Sequence, residues 1–295
     1  TGTPTEDQTL TADTSGLADA DGLGSFGYQW LRNGVAIGGA TGTTYTLGDV
    51  DVGQAVSVRV SYTDGHGSAE SVTSASVGPI ANVNDAPTGS PVVTGTPTED
   101  QTLGIDPAGL GDADGLGGFA YQWLRNGAVV GGATGTTYTL GDADVGQSIS
   151  VRVSYVDGQG TAESITSAAV GPIVNVNDTS TGLPTMTGTP TEDQPLGVNT
   201  SAIADLDGLG PFTYQWLRDG IDIAGATGTA YAPDDADVGR SISVRVSYVD
   251  GQGTAESVTS ATTGPVDHVN DVPTGSPVVT GTPTEDQTLG VDTTG

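Results

Sequence analysis

The chain contains no cysteine and no lysine. Without cysteine it has no disulfides, no thiol nucleophile and no sulfur-ligated zinc. Its seven basic residues, all arginines, stand against 36 Asp and Glu, for a formal charge of −29. A polyanion of this kind is not a nucleic-acid binder working through basic patches. It calls for cationic partners, and outside the cell the commonest is a divalent metal ion, so composition alone brings in calcium as a candidate. No apolar run reaches the roughly 18 residues of a membrane span, no signal-peptide pattern opens the chain, and no 11-residue window carries a helical apolar stripe. The first residues already lie inside a repeat, so the sequence is expected to be an excerpt of a longer protein whose addressing signals lie elsewhere. A hydrophobic content of 35% with 47 glycines would suit disorder, but the placement of the few aromatics argues against it.

Gly-Thr-Pro-Thr-Glu-Asp-Gln begins at Gly2, Gly95, Gly188 and Gly281, a spacing of 93 residues each time. Trp30, Trp123 and Trp216 are the only tryptophans and Phe26, Phe119 and Phe212 the only phenylalanines, while the nine tyrosines fall at Tyr28, Tyr45, Tyr62 and their equivalents. Aromatics carry much of the buried area of a small core, so their fixed placement means one core per 93 residues, built the same way three times. Solenoid repeats run to roughly 20 to 50 residues and cannot bury a core alone. A string of domains is therefore expected: residues 1–86, 87–179 and 180–272, with 273–295 as the first strands of an incomplete fourth copy.

Within one copy Phe26, Tyr28 and Trp30 alternate with Gly27, Gln29 and Leu31, and Val56, Val58, Val60 and Tyr62 alternate with Ser57, Arg59 and Ser61. These are period-two strands with one buried face. Shorter strands are expected at Thr9 to Asp13, Val35 to Ile37, Thr43 to Leu47 and Glu70 to Ser76, separated by turns such as Asn33-Gly34 and Asp64-Gly65. About seven short strands in 93 residues is the pattern of an all-β, immunoglobulin-like sandwich, here in tandem array. Arg59, Arg152 and Arg245 are expected to face outward beside Gln29 and its equivalents, in cross-strand ion pairs with residues such as Glu70.

The motif Tyr28-Gln29-Trp30-Leu31-Arg32-Asn33-Gly34, then Ala40-Thr41-Gly42-Thr43-Thr44-Tyr45, then Asp51-Val52-Gly53 before Val56-Ser57-Val58-Arg59-Val60 resembles the bacterial Ig-like, cadherin-like tandem repeats of giant secreted adhesins of the repeats-in-toxin type. All three copies carry it. The resemblance implies calcium dependence, an extracellular or bacterial cell-surface location and a role in adhesion or biofilm. Trp30 stands where immunoglobulin domains place their core tryptophan, and Val56 and Val58 replace the tyrosine and cysteine expected there, so packing alone must hold the core.

Catalytic chemistry finds little support. His66 becomes Gln159 and Gln252 in the other copies, and His268 replaces Asn82 and Asn175, which reads both as exposed loop or linker residues. Gly22 to Gly24 is no phosphate loop, because neither a helix nor a lysine follows. Asn177-Asp178-Thr179 and Asn199-Thr200-Ser201 match the glycosylation sequon and carry no weight in a bacterial-type chain. No enzyme is expected.

The carboxylates are more informative. In an immunoglobulin sandwich the B–C and F–G loops lie at the leading pole, where the chain comes in, and the A–B and E–F turns at the trailing pole. Asp19-Ala20-Asp21-Gly22 and Asp64-Gly65 then fall at the leading pole, and Glu6-Asp7 and Asp49-Val50-Asp51 at the trailing one. Between repeats runs Asn82-Val83-Asn84-Asp85-Ala86-Pro87, which resembles the cadherin linker in its Asn-Asp pair and following proline. Stacking one domain on the next directs Glu6, Asp7, Asp49 and Asp51 towards Asp112, Asp114 and Asp157, with Asn84 and Asp85 between. The second junction repeats the set as Glu99, Asp100, Asp142, Asp144, Asn177, Asp178, Asp205, Asp207 and Asp250, with Ser180 in the place of Pro87 and hence less stiffness. Hard oxygen donors in such number suit calcium, with six to eight ligands at about 2.3 to 2.6 Å, better than magnesium or a transition metal. The expected function is a stalk segment of a large bacterial surface or secreted adhesin, stiffened by calcium at the junctions. Its expected partners are calcium ions and the neighbouring repeats. Alternatives are a self-assembling extracellular fibre or sheath, in which like chains pair, and a carbohydrate-binding array.

Overall fold

A computed structural model describes residues 1–294. The chain divides into two compact units, Thr1–Asn175 and Val176–Gly295. The first holds two copies of the repeat, the second one copy and a terminal hairpin. In repeat 1 the strands are β1 (Thr9–Thr11), β2 (Gly27–Arg32), β3 (Val35–Ala36), β4 (Thr44–Thr46), β5 (Val56–Thr63) and β6 (Ala69–Thr73). They form an antiparallel sheet in the order β3-β2-β5-β6 and a smaller pair β1-β4. Repeat 2 has β7 (Val92–Thr94), β8 (Thr102–Asp106), β9 (Ala120–Arg125), β10 (Ala128–Val129), β11 (Thr137–Thr139), β12 (Ile149–Val156) and β13 (Ala162–Thr166), arranged β10-β9-β12-β13 and β11-β8-β7. Repeat 3 has β14 (Thr185–Thr187), β15 (Leu196–Asn199), β16 (Thr213–Arg218), β17 (Ile221–Asp222), β18 (Ala230–Tyr231), β19 (Ile242–Val249) and β20 (Ala255–Thr259), arranged β17-β16-β19-β20 and β14-β15-β18. β21 (Val278–Thr280) pairs with β22 (Gly290–Asp292) as β7 pairs with β8. Each full copy is an immunoglobulin-like β-sandwich.

The sandwich follows from the period-two strands. Trp30 lies opposite Val58 and Tyr28 opposite Val60, so one face of the larger sheet presents an apolar row to Leu10 and Leu47 from the other layer. The Trp30 ring stacks on Tyr45 at 5.7 Å, and its Nε1 donates to the Gly42 carbonyl at 3.0 Å. Its one polar atom is thus satisfied inside the core. Equivalent cores surround Trp123 and Trp216. The β2–β3 turn is Asn33-Gly34 with φ of 45° and 81°, the two left-handed residues that a two-residue hairpin requires.

Gln29 lies opposite Arg59, as Gln122 does Arg152 and Gln215 does Arg245, and its Nε2 donates to the carbonyls of Trp30 and Ile37 at 2.9 and 2.8 Å, tying β2 to the segment after β3. The expected pairing of Arg59 with Glu70 is corrected. Glu70 lies opposite Tyr62, and Arg59 opposite Thr73, so register keeps them out of direct opposition. Among Arg59, Arg152 and Arg245, only Arg245 makes an ion pair among the described residues, to Asp222 at 2.8 Å. Asp222 stands where Ala36 and Val129 stand in the other copies, which explains why the pair appears once.

Candidate metal centre

The trailing pole is built where the E–F segment tightens into a short 3-10 turn, Asp49–Asp51. A turn of this kind sends its first and last side chains in different directions. Asp51 goes inward: it is fully buried, its Oδ1 accepts from Arg32 Nε at 2.7 Å, and its Oδ2 accepts from Tyr45 OH at 2.9 Å and the Gly48 amide at 3.1 Å. Burying Arg32 partly opposes its charge, but the Asp51 hydrogen bond is the larger influence and raises the guanidinium's pKa. Asp144 repeats the arrangement with Arg125. Asp51 and Asp144 therefore do not stand among the metal ligands expected of them, because both oxygens are engaged in fastening the turn to the sheet. Arg32 and Tyr45 were missed as their partners, although both recur with the 93-residue period.

Asp49 goes outward, and there it meets Glu6 and Asp85. The three carboxylates each offer an oxygen, and these oxygens lie within 4.8 Å of one another. That is the span of two ligands on opposite sides of a calcium ion at about 2.4 Å. Glu6 is wholly buried; its Oε2 accepts from the Val83 amide at 3.1 Å, while its Oε1 has no partner. Burial first, then the neighbouring Asp49 and Asp85, push its pKa up against the Val83 amide. Asp85 is likewise raised, first by desolvation and then by Asp49, Asp114, Asp7 and Asp112. A buried carboxylate oxygen without a donor amid like charges costs free energy that a cation would recover. Asn82, the first linker residue, also carries a buried Oδ1 with no partner.

The linker reaches the leading pole of repeat 2 through backbone and side chain. The Asp85 amide donates to Asp114 Oδ2 at 2.8 Å, and Thr88 bridges to Gly111. Asn84, expected as a ligand, donates its Nδ2 to Glu163 Oε1 at 2.7 Å, a brace onto β13. In the Asp112-Ala113-Asp114-Gly115 loop, Asp112 Oδ1 accepts the Asp114 amide at 2.9 Å and its Oδ2 the Tyr155 hydroxyl at 2.5 Å; burial, then that bond, raises the Tyr155 pKa. Asp157 Oδ1 accepts the Gln159 and Thr161 amides at 2.9 and 2.8 Å, and its Oδ2 is buried without a partner. Burial would raise its pKa, but those amides and that of Gly160 outweigh it and hold it below the usual carboxylate range. The structure thus gathers Glu6, Asp49 and Asp85, with Asp114 bound to the Asp85 amide and Asp7 and Asp112 close enough to act on Asp85. The donors are all oxygens, which fits calcium.

Of the second set, Glu99 is buried and Asp100 and Asp142 are exposed, all in the first unit. In the second unit the leading pole of repeat 3 repeats that of repeat 2. The Asp178 amide donates to Asp207 Oδ2 at 2.8 Å, Tyr248 OH donates to Asp205 Oδ2 at 2.6 Å, and Asn177 Nδ2 donates to Glu256 at 3.0 Å. Asp250 holds two turn amides and keeps one buried oxygen unpartnered. With Ser180 in Pro87's place, Thr181 still bridges to Ala204. A further cluster, Glu192, Asp235 and Asp271, was missed at the trailing pole of repeat 3. Its signal was present, since these are Glu6, Asp49 and Asp85 carried forward by two periods.

Among the described residues no helix is long and apolar enough to cross a membrane. No protein-family model matches the chain, and no curated protein matches it. Among solved structures it is similar to a Ca2+-stabilised adhesin that helps an Antarctic bacterium reach out and bind ice, at 14% identity over 92% of this chain and 70% of that one, TM-score 0.30. It is also similar to a structure bearing on the host cell surface retention of a 1.5-MDa bacterial ice-binding adhesin, at 16% identity over 90% and 92%, TM-score 0.29. A third is the D1–D4 ectodomain fragment of ICAM-5, at 14% identity over 87% and 71%, TM-score 0.36.

Proposed function

We infer that the chain is an extender segment of a large extracellular or cell-surface bacterial adhesin, whose junctions are stiffened by calcium. The observation that carries this reading is the Glu6, Asp49 and Asp85 cluster with its unpartnered buried Glu6 oxygen, set between a linker and the Asp114 loop of the following repeat. Near-identical sandwiches with separate cores serve as spacers. In such a spacer Glu6 and Asp49 hold the ion to one sandwich, Asp85 holds it to the linker, and Asp114 fixes the linker to the next sandwich. The bound cation supplies charge neutralisation and so turns a self-repelling hinge into a fixed joint. The domains fold on their own cores, at residues 1–86, 87–179 and 180–272.

Melting in chelator against millimolar calcium tests the reading. For dissociation constants near 10⁻⁴ M and free calcium about 10⁻³ M, linkage stabilises by roughly 1.4 kcal/mol per site. Equal midpoints in the two conditions would sink it. The Asp112→Asn, Asp114→Asn double variant should shorten the average end-to-end distance in solution scattering with calcium present and leave the circular dichroism unchanged. An unchanged profile with unchanged calcium affinity would return these aspartates to surface solubility and put the fibre alternative ahead.

A further inference from the structure

The two-residue turn after the tryptophan strand is built alike in the three repeats but does not carry the same residue. Its φ angles are 45° and 81° at Asn33-Gly34, 48° and 80° at Asn126-Gly127, and 47° and 81° at Asp219-Gly220. The third copy has aspartate for asparagine. In every copy the side-chain Oδ1 accepts an amide of the facing strand at 3.0 Å, from Ala55, Ser148 and Ser241 in turn. The partner of the other side-chain atom follows the residue. Asn33 Nδ2 donates to Gln54 Oε1 and Asn126 Nδ2 to Gln147 Oε1, whereas Asp219 Oδ2 accepts from Arg240 at 3.3 Å, arginine standing where the other copies carry glutamine. The same turn therefore accommodates an amide or a carboxylate.

We propose that Asn33 and Asn126 are sites of spontaneous deamidation, which converts them to the kind of residue that repeat 3 already carries. The glycine amide nitrogen loses its proton to solvent base and bonds to the asparagine Cγ. The Cγ–Nδ2 bond breaks, ammonia leaves with the proton it needs, and water opens the resulting succinimide to aspartate or isoaspartate. No other reactant takes part. Asparagine precedes glycine only at these two places, and a glycine offers its nitrogen with no side chain to crowd the ring. The fold leaves that nitrogen available. Gly34 and Gly127 are exposed, among the described residues their amides donate to no acceptor, and a methyl group on either would meet no atom within 4 Å. The linker asparagines are the internal contrast. The amides that follow Asn84 and Asn177 are held by Asp114 and Asp207 at 2.8 Å each, and the amide that follows Asn82 is held by Glu6 at 3.1 Å. A nitrogen tied in this way is not free to attack. At the turn itself the restraint is the glutamine, since Nδ2 must leave Gln54 before Cγ can turn towards Gly34. The aspartate produced fits the turn, because Asp219 keeps the same bond to the facing strand, but it lacks the arginine that meets its charge in repeat 3.

The test is incubation of the 295-residue chain in warm, mildly alkaline buffer, with circular dichroism to show that it stays folded, then intact-mass measurement and peptide mapping. Each conversion adds one mass unit and one negative charge. Two are expected, at Asn33 and Asn126, while Asn82, Asn84 and Asn177 stay intact. The double variant Asn33→Asp, Asn126→Asp, which installs the residue of repeat 3 and so keeps the turn, should gain no mass. Gln54→Arg takes away the acceptor of Nδ2 and should speed conversion at Asn33 severalfold, with Asn126 of the same chain as the reference. A folded chain that keeps its mass while the urea-unfolded chain gains it overturns the proposal, because the turn would then protect its asparagine. Mass gain that maps to the linker asparagines overturns it as well. Equal rates at Asn33 and Asn126 in the Gln54→Arg variant would overturn the part assigned to the glutamine.

Discussion

The leading poles of repeats 1 and 2 have the same Asp-Ala-Asp-Gly loop, and among the described residues a linker covers the second while the first is left open to solvent. At the open pole the Asp21 side chain is 59% exposed and Tyr62 is half-buried. Under the linker, Asp114 and Tyr155 are 7% and 4% exposed. The hydrogen bonds within the loops nevertheless agree. Tyr62 OH donates to Asp19 at 2.8 Å as Tyr155 does to Asp112. Asp64 Oδ1 accepts the His66 and Ser68 amides at 2.9 and 2.8 Å, as Asp157 accepts those of Gln159 and Thr161. The loop conformation is therefore a property of the single sandwich. The linker adds desolvation and one more carboxylate, Asp85. Carboxylates oriented in this way would lose little conformational entropy on binding a cation.

The comparison breaks most visibly if cover and core are coupled. Trp30→Ala and Trp123→Ala each remove a fully packed indole and should cost about 3 to 5 kcal/mol of their own sandwich's stability, alike in the open and the covered copy. Limited proteolysis should then cut only the repeat that carries the change. A clearly larger loss for Trp123→Ala, or cleavage spread over both repeats of the first unit, would show that the covered copy depends on its junction.

Acid acts in opposite senses on the carboxylates around the linker and on the loop aspartates held by turn amides. In chelator, Glu6 and Asp85 hold raised pKa values, through burial and then their carboxylate neighbours. Such groups contribute stability that is complete below their unfolded values, near 4, and is lost as pH rises through the folded values. Asp64 is lowered, first by the Ser68 amide, so its contribution is complete above about 4 and is lost as pH falls through its folded value. As pH falls from 7 towards 4 the junction at Glu6 and Asp85 should tighten; below about 4 the loops held by Asp64 and by Asp157, lowered likewise by turn amides, should loosen. Hydrogen exchange at the Val83 and Asp85 amides against that of Ser68, corrected for intrinsic rates, reads both. Junction amides that open more at pH 5 than at pH 7 would reverse the sign assigned to Glu6 and Asp85.

How far the sequence carried the reading depends on what each position encodes. The long strands were legible because Tyr28, Trp30, Val56, Val58 and Val60 alternate and one face must be dry. Assigning loops to poles set Glu6, Asp49 and Asp85 beside one another, and the structure places their oxygens within 4.8 Å. Asp51 was misread because it lies two residues from Asp49 in an acidic turn, and only the local 3-10 geometry decides which of the two faces Arg32. The brace from Asn84 to Glu163 was not legible, because sequence spacing does not show which carboxylate the amide nitrogen reaches. His268 is mostly exposed, as expected of a linker residue, yet it touches the buried Glu192, a contact invisible without the fold.

The smallest effect isolates the linker itself. Glu163 accepts Asn84 Nδ2 across the first junction at 2.7 Å, while Glu70, its counterpart in repeat 1, is exposed. Both glutamates project from the same edge strand, so their intrinsic contributions cancel in a comparison. Removing an exposed charge-assisted hydrogen bond costs about 0.5 to 1.5 kcal/mol at most, because water replaces the lost partner. Glu163→Ala should therefore lower the stability of repeat 2 by about 0.5 kcal/mol relative to Glu70→Ala in repeat 1, and the difference should vanish in the Asn84→Ala background. It should also be the same in chelator and in calcium, because neither atom of the brace belongs to the carboxylate cluster. A difference that persists without Asn84 would assign the cost of Glu163 to β13 itself, and one that appears only with calcium would couple the brace to the metal.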